Sequence, residues 1–485
     1  MTAENPTTRT TGPAARGLSR TLGQVPQSRC SLDDAPGCHS PASHAPGSNG
    51  PGDADGHGPS RRNVLAGGAA ALALGAAHVL GDPTSDDSAV TRYAFAPTAS
   101  ATAVRRDTLV VLSFRGGFDG LSAVVPAAEQ RLATLRPTVA APTSKLLQLD
   151  ASFGLHPALA PLLPLYEAGT LGFVHDVGQA SATRSHFAAM AEMERAAPTT
   201  SLRTGWLDRA VGIRPGGTAL QATQVGSLTA SQGLAGPHPE YSLGSVEGFR
   251  LSGTANANDR APWAGALRTM HTEAHPSLRA SVGNALSAME TVFGLAARPG
   301  GDPTVSPYPR LPNGTLTPLA EALRDTARLI KADVGLEVAC VDHGDWDMHV
   351  AMGTSDRGWM TDKLGEVARA LAAFAEDLGP RLQDTALVTM SEFGRRVKQN
   401  GSGGTDHGHG NLVMMLGGGT VGGKVHGHWP GLADSALADG DLPGSTDYRT
   451  ILAEVLEKRC ATTSVARDVF PGLPSTRLGL VRQKV

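Results

Sequence analysis

The sequence predicts an α/β protein in three layers: a mostly parallel central sheet with helices on both faces and an inserted lid region at 230–312. Three observations carry that expectation. Short apolar runs alternate with segments of helical period, and hydrophobic residues reach 40% of the 485-residue chain, enough for a sizeable core. The runs end in polar, glycine-rich turns, and ligands of open α/β sheets bind beyond the carboxyl ends of strands. Charge nearly balances, 42 Lys+Arg against 45 Asp+Glu, which argues against a nucleic-acid-binding protein. With 59 Gly, 33 Pro and 4% aromatics, the chain should turn often and build its core from Ala, Leu and Val. Four cysteines in this length exclude a disulfide scaffold.

Residues 1–59 hold no hydrophobic period, as in Ser40-Pro41-Ala42-Ser43, and are predicted to be disordered. Arg61-Arg62 then precede a weakly apolar Ala/Gly/Leu run ending near Leu80, so 60–81 reads as a twin-arginine signal region or, less specifically, as a chance Arg pair before a small buried helix. That run is too short and too rich in glycine for a stable membrane span. A polar linker follows at 82–105, and the globular domain is expected over 106–475.

Strands are predicted at 108–114, 171–177, 336–341, 385–390 and 412–416, each an apolar run bounded by polar residues. Helices are predicted at 159–167, 187–196, 278–296, 316–331, 363–377 and 448–458. Thr361 or Asp362 suits the N-cap of the 363–377 helix, and Gly379-Pro380 should stop it.

Polar clusters follow four of the strands. After 108–114 come Arg115-Gly116-Gly117-Phe118-Asp119, where Asp119 is either a hard oxygen ligand or an Asx-type turn residue. After 171–177, Thr183, Arg184, Ser185 and His186 open a helix. There Ser185 or Thr183 serves as a plain N-cap or as an oxygen nucleophile favoured by free backbone N–H groups; His186 alone reads as a satisfied polar residue. The stretch Asp342-His343-Gly344-Asp345-Trp346-Asp347-Met348-His349 packs five ionisable groups into eight residues, a density that a bound cation would organise; the alternative is a solvated acidic loop. Asp345 with His349, or Asp347 with His349, has a spacing that can serve one ion. The strand at 385–390 ends in Ser391-Glu392-Phe393-Gly394-Arg395, and Asp406-His407-Gly408-His409 precedes the next strand. Glycines at 403, 404, 408 and 410 either hinge a purely structural loop or let Asp406, His407 and His409 converge, and mixed carboxylate and imidazole suits Zn²⁺, Mn²⁺ or Fe²⁺. A parallel sheet would gather these loops on one edge, where two adjacent divalent ions could position a Ser or Thr alkoxide for in-line displacement at phosphorus or sulfur.

These motifs, R-G-G-F-D-G-L at 115–121, T-R-S-H-F at 183–187, D-W-D-M-H at 345–349, S-E-F-G-R at 391–395 and G-T-D-H-G-H-G at 404–410, resemble the bacterial family labelled domain of unknown function 1501. Leu155-His156-Pro157-Ala158-Leu159 and Gly205-Trp206-Leu207-Asp208 fit it too. The resemblance spans nearly all of 107–460, and members of the family typically carry twin-arginine signals. It implies an alkaline-phosphatase-like or sulfatase-like fold with metal ligands at strand ends and a nucleophile at a helix start. By that resemblance Asp119 is a first-strand ligand, Ser185 or Thr183 the nucleophile, and Asp347 and His349 one ligand pair. Glu392, Asp406, His407 and His409 complete the implied set. The sequence departs from the superfamily at Glu392-Phe393, where relatives carry Asp-His, and at Asp345 in place of a family glycine. It has no C-x-P-x-R stretch for making a formylglycine.

The resulting expectation is an exported hydrolase of phosphate or sulfate esters that depends on divalent metal ions (Zn, Mn, Fe, Ca or Mg). Arg184 or Arg395 would hold the anionic oxygens. Its expected partners are an anionic ester substrate, polysaccharide or phosphoester, and the twin-arginine translocase; its expected location is the periplasm, cell wall or exterior. The rival expectation is a non-catalytic exported binding protein on the same fold.

Overall fold

The computed structural model describes residues 106–213, 217–238, 240–249, 257–296 and 308–484. The predicted disordered segment, signal region and linker lie outside the described residues.

Nine strands among the described residues form one sheet: β1 (Thr108–Phe114), β2 (Leu171–Gly178), β3 (Ala222–Val225), β4 (Tyr241–Leu243), β5 (Val338–His343), β6 (Thr385–Met390), β7 (Asn411–Gly417), β8 (Val425–His426) and β9 (Thr446–Asp447). Their order is β8-β2-β7-β6-β1-β5-β3-β4, with β9 also paired to β2. β1 lies in parallel between β6 and β5, and β3 and β4 continue the parallel run. The mostly parallel sheet is therefore as expected, with one departure: β7 runs antiparallel to both β6 and β2. Two reversals restore direction, so β2 points the same way as β6, β1 and β5. The carboxyl ends of those four strands reach one edge, and β7 starts at that edge. Its reversal places the 404–410 loop there too.

Side chains alternate along β1 and divide the core. Val110, Leu112 and Phe114 face one layer, with helices α5 (Pro318–Lys331) and α6 (Trp359–Leu378). Leu109 and Val111 face the other, with α2 (Trp206–Gly212) and α7 (Tyr448–Lys458). α1 (His186–Arg195) also joins this second layer through Met193. On α6 the buried residues Met360, Leu364, Val367, Leu371, Phe374 and Leu378 recur at the spacing of one helical face. Its N-cap is Gly358, at φ 115, rather than Thr361 or Asp362, so the helix starts earlier than its capping signals suggest. Gly353 and Gly358 press together there, leaving no room for a side chain on either. α5 is capped by Thr317, whose hydroxyl accepts the Ala320 N–H at 3.3 Å, with Pro318 opening the helix.

The predicted helix at 159–167 divides into a 3₁₀ segment, Pro157–Leu162, and a short α-helix, Leu163–Glu167. Pro161 lies inside the first, where its missing N–H limits α-helical pairing. The described parts of 230–312 supply edge strand β4 and two helices, α3 (Ala257–Met270) and α4 (Pro276–Ala296). Leu286, Met289 and Val292 of α4 bury themselves in the same core as α5 and α6.

Candidate metal centre

Five loops meet where β1, β2, β5 and β6 end and β7 begins. Glycine makes two of the close approaches possible. Gly116 has φ 117, and a Cβ on it would lie 2.7 Å from the Asp347 backbone nitrogen. A Cβ on Gly404 would lie 2.4 Å from the His349 carbonyl group. With no side chain there, the 400–410 loop lies on the 345–349 loop, joined by Thr405 N–H to Met348 C=O at 3.1 Å.

Arg395 ties the loops together. It is buried, and its guanidinium donates to Gly117 C=O (2.6 Å), Thr405 C=O (2.9 Å), Trp346 C=O (3.0 Å), Gly116 C=O and Asp347 Oδ1 (2.7 Å). Partial burial pushes the Asp347 carboxyl up, but the Arg395 guanidinium hydrogen-bonded to it outweighs this and holds the group below the usual carboxylate range.

Three imidazoles surround Asp347. Each has its Nδ1 opposite an oxygen that only accepts: His186 opposite Glu392 Oε1 (2.8 Å), His349 opposite Asp406 Oδ1 (2.9 Å), and His407 opposite the Arg184 carbonyl (2.8 Å). Those partners assign the proton to Nδ1 in all three rings and leave a lone pair on each Nε2. The lone pairs converge. His349 Nε2 lies 2.9 Å from His407 Nε2 and 3.0 Å from Asp347 Oδ1, and His407 Nε2 lies 3.1 Å from the same oxygen. His186 Nε2 is buried without a hydrogen-bond partner and stands 3.5 Å from Asp347 Oδ2. The donor atoms of His186, Asp347 and His407 all lie within 4.8 Å of one another.

Two bare ring nitrogens at such a separation require a proton or a metal cation between them. The Nδ1 arrangement is how metal-ligating histidines are oriented, through a carboxylate or carbonyl behind the ring. The orphaned His186 nitrogen adds a further donor with nothing to bind. On these grounds the residues present fit a divalent cation.

Several expected roles meet different partners. Asp119 is outside the cluster: both its oxygens accept from the buried Arg136 (2.6 and 3.1 Å), and Ser122 Oγ donates to it at 2.6 Å. This arginine, which the motif reading overlooked, neutralises the carboxylate that would have faced an ion. His409 points elsewhere, its ring packed against Gly178 and Gly444, where burial pushes its pKa down. Glu392 sits behind His186 and also accepts the Gly116 N–H at 2.8 Å. Asp406 likewise stands behind His349 and accepts from Asn400 at 2.9 Å, and these two partners hold its pKa low. Arg184 pairs with Asp439 (2.9 Å) and Asp441 (2.7 Å), and Arg395 is spent on the loops, so neither offers a free guanidinium to an anion. Ser185 is the N-cap of α1, yet its hydroxyl makes no capping bond and is exposed. Thr183 Oγ1 accepts the Ser185 N–H at 3.3 Å.

His186 is the residue the sequence reading passed over. Its signal was positional: it opens the helix directly after Ser185, in a loop leaving a buried strand. Phe393, which stands where the resemblance puts an imidazole, packs against the rings of His186 (4.8 Å between centroids) and His407 (4.7 Å). It supports two imidazoles from other loops.

No curated protein matches the chain. Among solved structures, likenesses are found to Ps i-CgsB (11% identity, TM-score 0.29, 67% of this chain and 68% of that one). Others are the PsFucS1 sulfatase from Pseudoalteromonas sp. (12%, 0.31, 86% and 74%) and the phosphonate monoester hydrolase of Agrobacterium radiobacter (12%, 0.29, 73% and 77%). At such TM-scores these likenesses carry no argument. Residues 321–457, which contain Asp347, His349, Glu392, Arg395, Asp406 and His407, match the model of the family described as "Protein of unknown function (DUF1501)".

Proposed function

We propose that this protein is a metal-dependent hydrolase of phosphate or sulfate esters, exported by the twin-arginine translocase and working outside the cytoplasm. One observation carries the reading: three imidazole lone pairs and one carboxylate converge directly beside a helix N-terminus whose serine hydroxyl is unspent. A bound divalent ion supplies Lewis acidity, lowering the pKa of a hydroxyl and polarising an ester oxygen. Ser185 is the nucleophile, with Thr183 as the less favoured choice because its hydroxyl oxygen already accepts the Ser185 N–H. The first N–H groups of α1 precede the intrahelical ladder and can donate to an anionic oxygen beside Ser185. Glu392 and Asp406 hold the His186 and His349 rings in the tautomer that keeps Nε2 free. Arg395 acts as a positioning residue, fixing Asp347 and the three loops around it.

Among the described residues no helix is long and apolar enough to cross a membrane. The export assignment rests on Arg61-Arg62 and the apolar run after them. Elemental analysis of protein purified without chelator, with turnover of aryl phosphates and sulfates, tests the proposal. A metal-loaded protein should turn over at least one ester class, and Ser185→Ala should lower that turnover by more than ~1000-fold with metal retained. Unchanged turnover in Ser185→Ala would defeat the nucleophile assignment.

A second reading, a non-catalytic binding protein, is favoured by one feature. Both arginines expected to grip the anion are committed to the protein's own oxygens. Vanadate soaking separates the two: oxyanion bound beside Ser185 supports the enzyme, and none at millimolar concentration supports the binding protein.

A further inference from the structure

We infer that the centre holds one metal ion, bound by His186, His349, His407 and Asp347, and that it selects a borderline transition metal over magnesium or calcium. The inference rests on the metal-dependent reading above and replaces the pair of ions that the sequence suggested.

Nuclearity follows from what each carboxylate is already doing. Asp119 gives both oxygens to Arg136. Glu392 Oε1 accepts from the Gly116 N–H and faces His186 Nδ1, and its Oε2 accepts from Ser391 Oγ at 3.2 Å. Asp406 Oδ1 faces His349 Nδ1 and accepts from Asn400. Asp347 is different: Oδ1 takes one guanidinium hydrogen bond, which leaves it a second lone pair, and Oδ2 faces the bare His186 nitrogen. Among these groups, Asp347 is the one carboxylate with its oxygens on the Nε2 side of the three rings, while Glu392 and Asp406 stand behind theirs on the Nδ1 side.

Charge gives the same count. Asp347, Glu392 and Asp406 bring three negative charges and Arg395 one positive, a formal −2 with neutral rings, which one divalent cation cancels. A lone proton would cancel half of it and leave His186 Nε2 without a partner.

Size and donor type set the metal class. Donors at about 2.1 Å from a common centre stand about 3.0 Å apart at right angles and about 3.4 Å apart at the tetrahedral angle. The observed triangle of 2.9, 3.0 and 3.1 Å matches the right-angled case. It leaves coordination positions open to water or substrate. Three imidazole nitrogens with one carboxylate oxygen suit Zn²⁺, Mn²⁺, Fe²⁺ or Co²⁺, whereas Mg²⁺ and Ca²⁺ take oxygen donors.

The test is metal stoichiometry and selectivity on the full chain, with ester turnover measured separately. Zinc added to stripped protein should bind at one ion per chain and resist a hundredfold excess of Mg²⁺. X-ray absorption at the zinc edge of the unaltered protein should show scattering from three imidazoles, a readout that needs no variant. His349→Ala and His407→Ala should each weaken zinc binding by more than ~100-fold, while Asp119→Asn keeps one ion. Two ions per chain, displacement by Mg²⁺, an oxygen-only shell, or zinc binding unchanged in both histidine variants overturns the inference; so does an empty centre. One bound ion without ester turnover would defeat the hydrolase reading and leave this inference standing.

Discussion

Two carboxylates leave the carboxyl edge of the same sheet and meet opposite fates. Asp119 follows β1, is buried, and is closed by the bidentate Arg136. Asp347 follows β5, is half-exposed, and is ringed by three imidazole nitrogens with no proton of their own to offer. Position at a strand end does not make a ligand. The partner does: a guanidinium satisfies a carboxylate with fixed hydrogen bonds, whereas an array of lone pairs can be satisfied only by a cation. The first pair holds the fold together, and the second arrangement stays costly until something binds.

The sharpest way to break this comparison is to remove Arg136. Arg136→Leu leaves Asp119 buried and unpaired, which should cost about 3–5 kcal/mol of stability in urea unfolding with one metal ion still bound per folded chain. Loss of metal at unchanged stability would reverse the roles assigned to the two carboxylates. A smaller effect should follow from Glu392→Gln. The amide can accept from His186 Nδ1 but removes the charge behind the ring, so zinc affinity should fall about 10–100-fold while the fold persists. Isothermal titration measures it, and unchanged affinity would separate His186 from the ion.

The comparison extends to histidines that are structural. Burial pushes His156 and His175 down to about 4 and His343 to about 3. His175 Nε2 donates to the Val124 carbonyl at 2.7 Å, which favours the charged ring, but burial outweighs it and keeps the ring neutral. With the folded-state pKa below the ordinary 6.5, acid favours the unfolded chain. Their contribution is therefore fully present above pH 6.5 and is lost as pH falls toward 4. Urea stability of metal-free protein should decline through that window, and His175→Gln should make the decline shallower. An identical slope in the variant would remove His175 from the account.

Much of the architecture was legible because local chemistry determined it. β1 and β6 occupy the expected residues, since uninterrupted apolar runs bounded by polar turns have few other homes. The gathering of Asp347, His349, Asp406 and His407 was legible from two polar loops, one after β5 and one before β7, that meet at the same sheet edge. Three things were not. Arg136 lies seventeen residues past Asp119, just after the short helix Arg131–Leu135, and nothing local marks it as a partner. The reversal of β7 depends on pairing with β2 and β6, which no single segment encodes. His186 needed Glu392, 206 residues away, to fix its tautomer before its free nitrogen meant anything.

The smallest stability effect concerns two N-caps. Thr317 caps α5 with a side-chain hydrogen bond, and Ser185 caps α1 without one. Thr317→Ala should therefore cost about 1 kcal/mol, and Ser185→Ala less than about 0.5 kcal/mol, as for a surface change that removes no bond. Paired urea melts measure both. Ser185 stands at an N-cap position, where a capping bond is readily made, and makes none. If Ser185→Ala proves as destabilising as Thr317→Ala, the hydroxyl is working as a cap in solution and the nucleophile must be sought at Thr183.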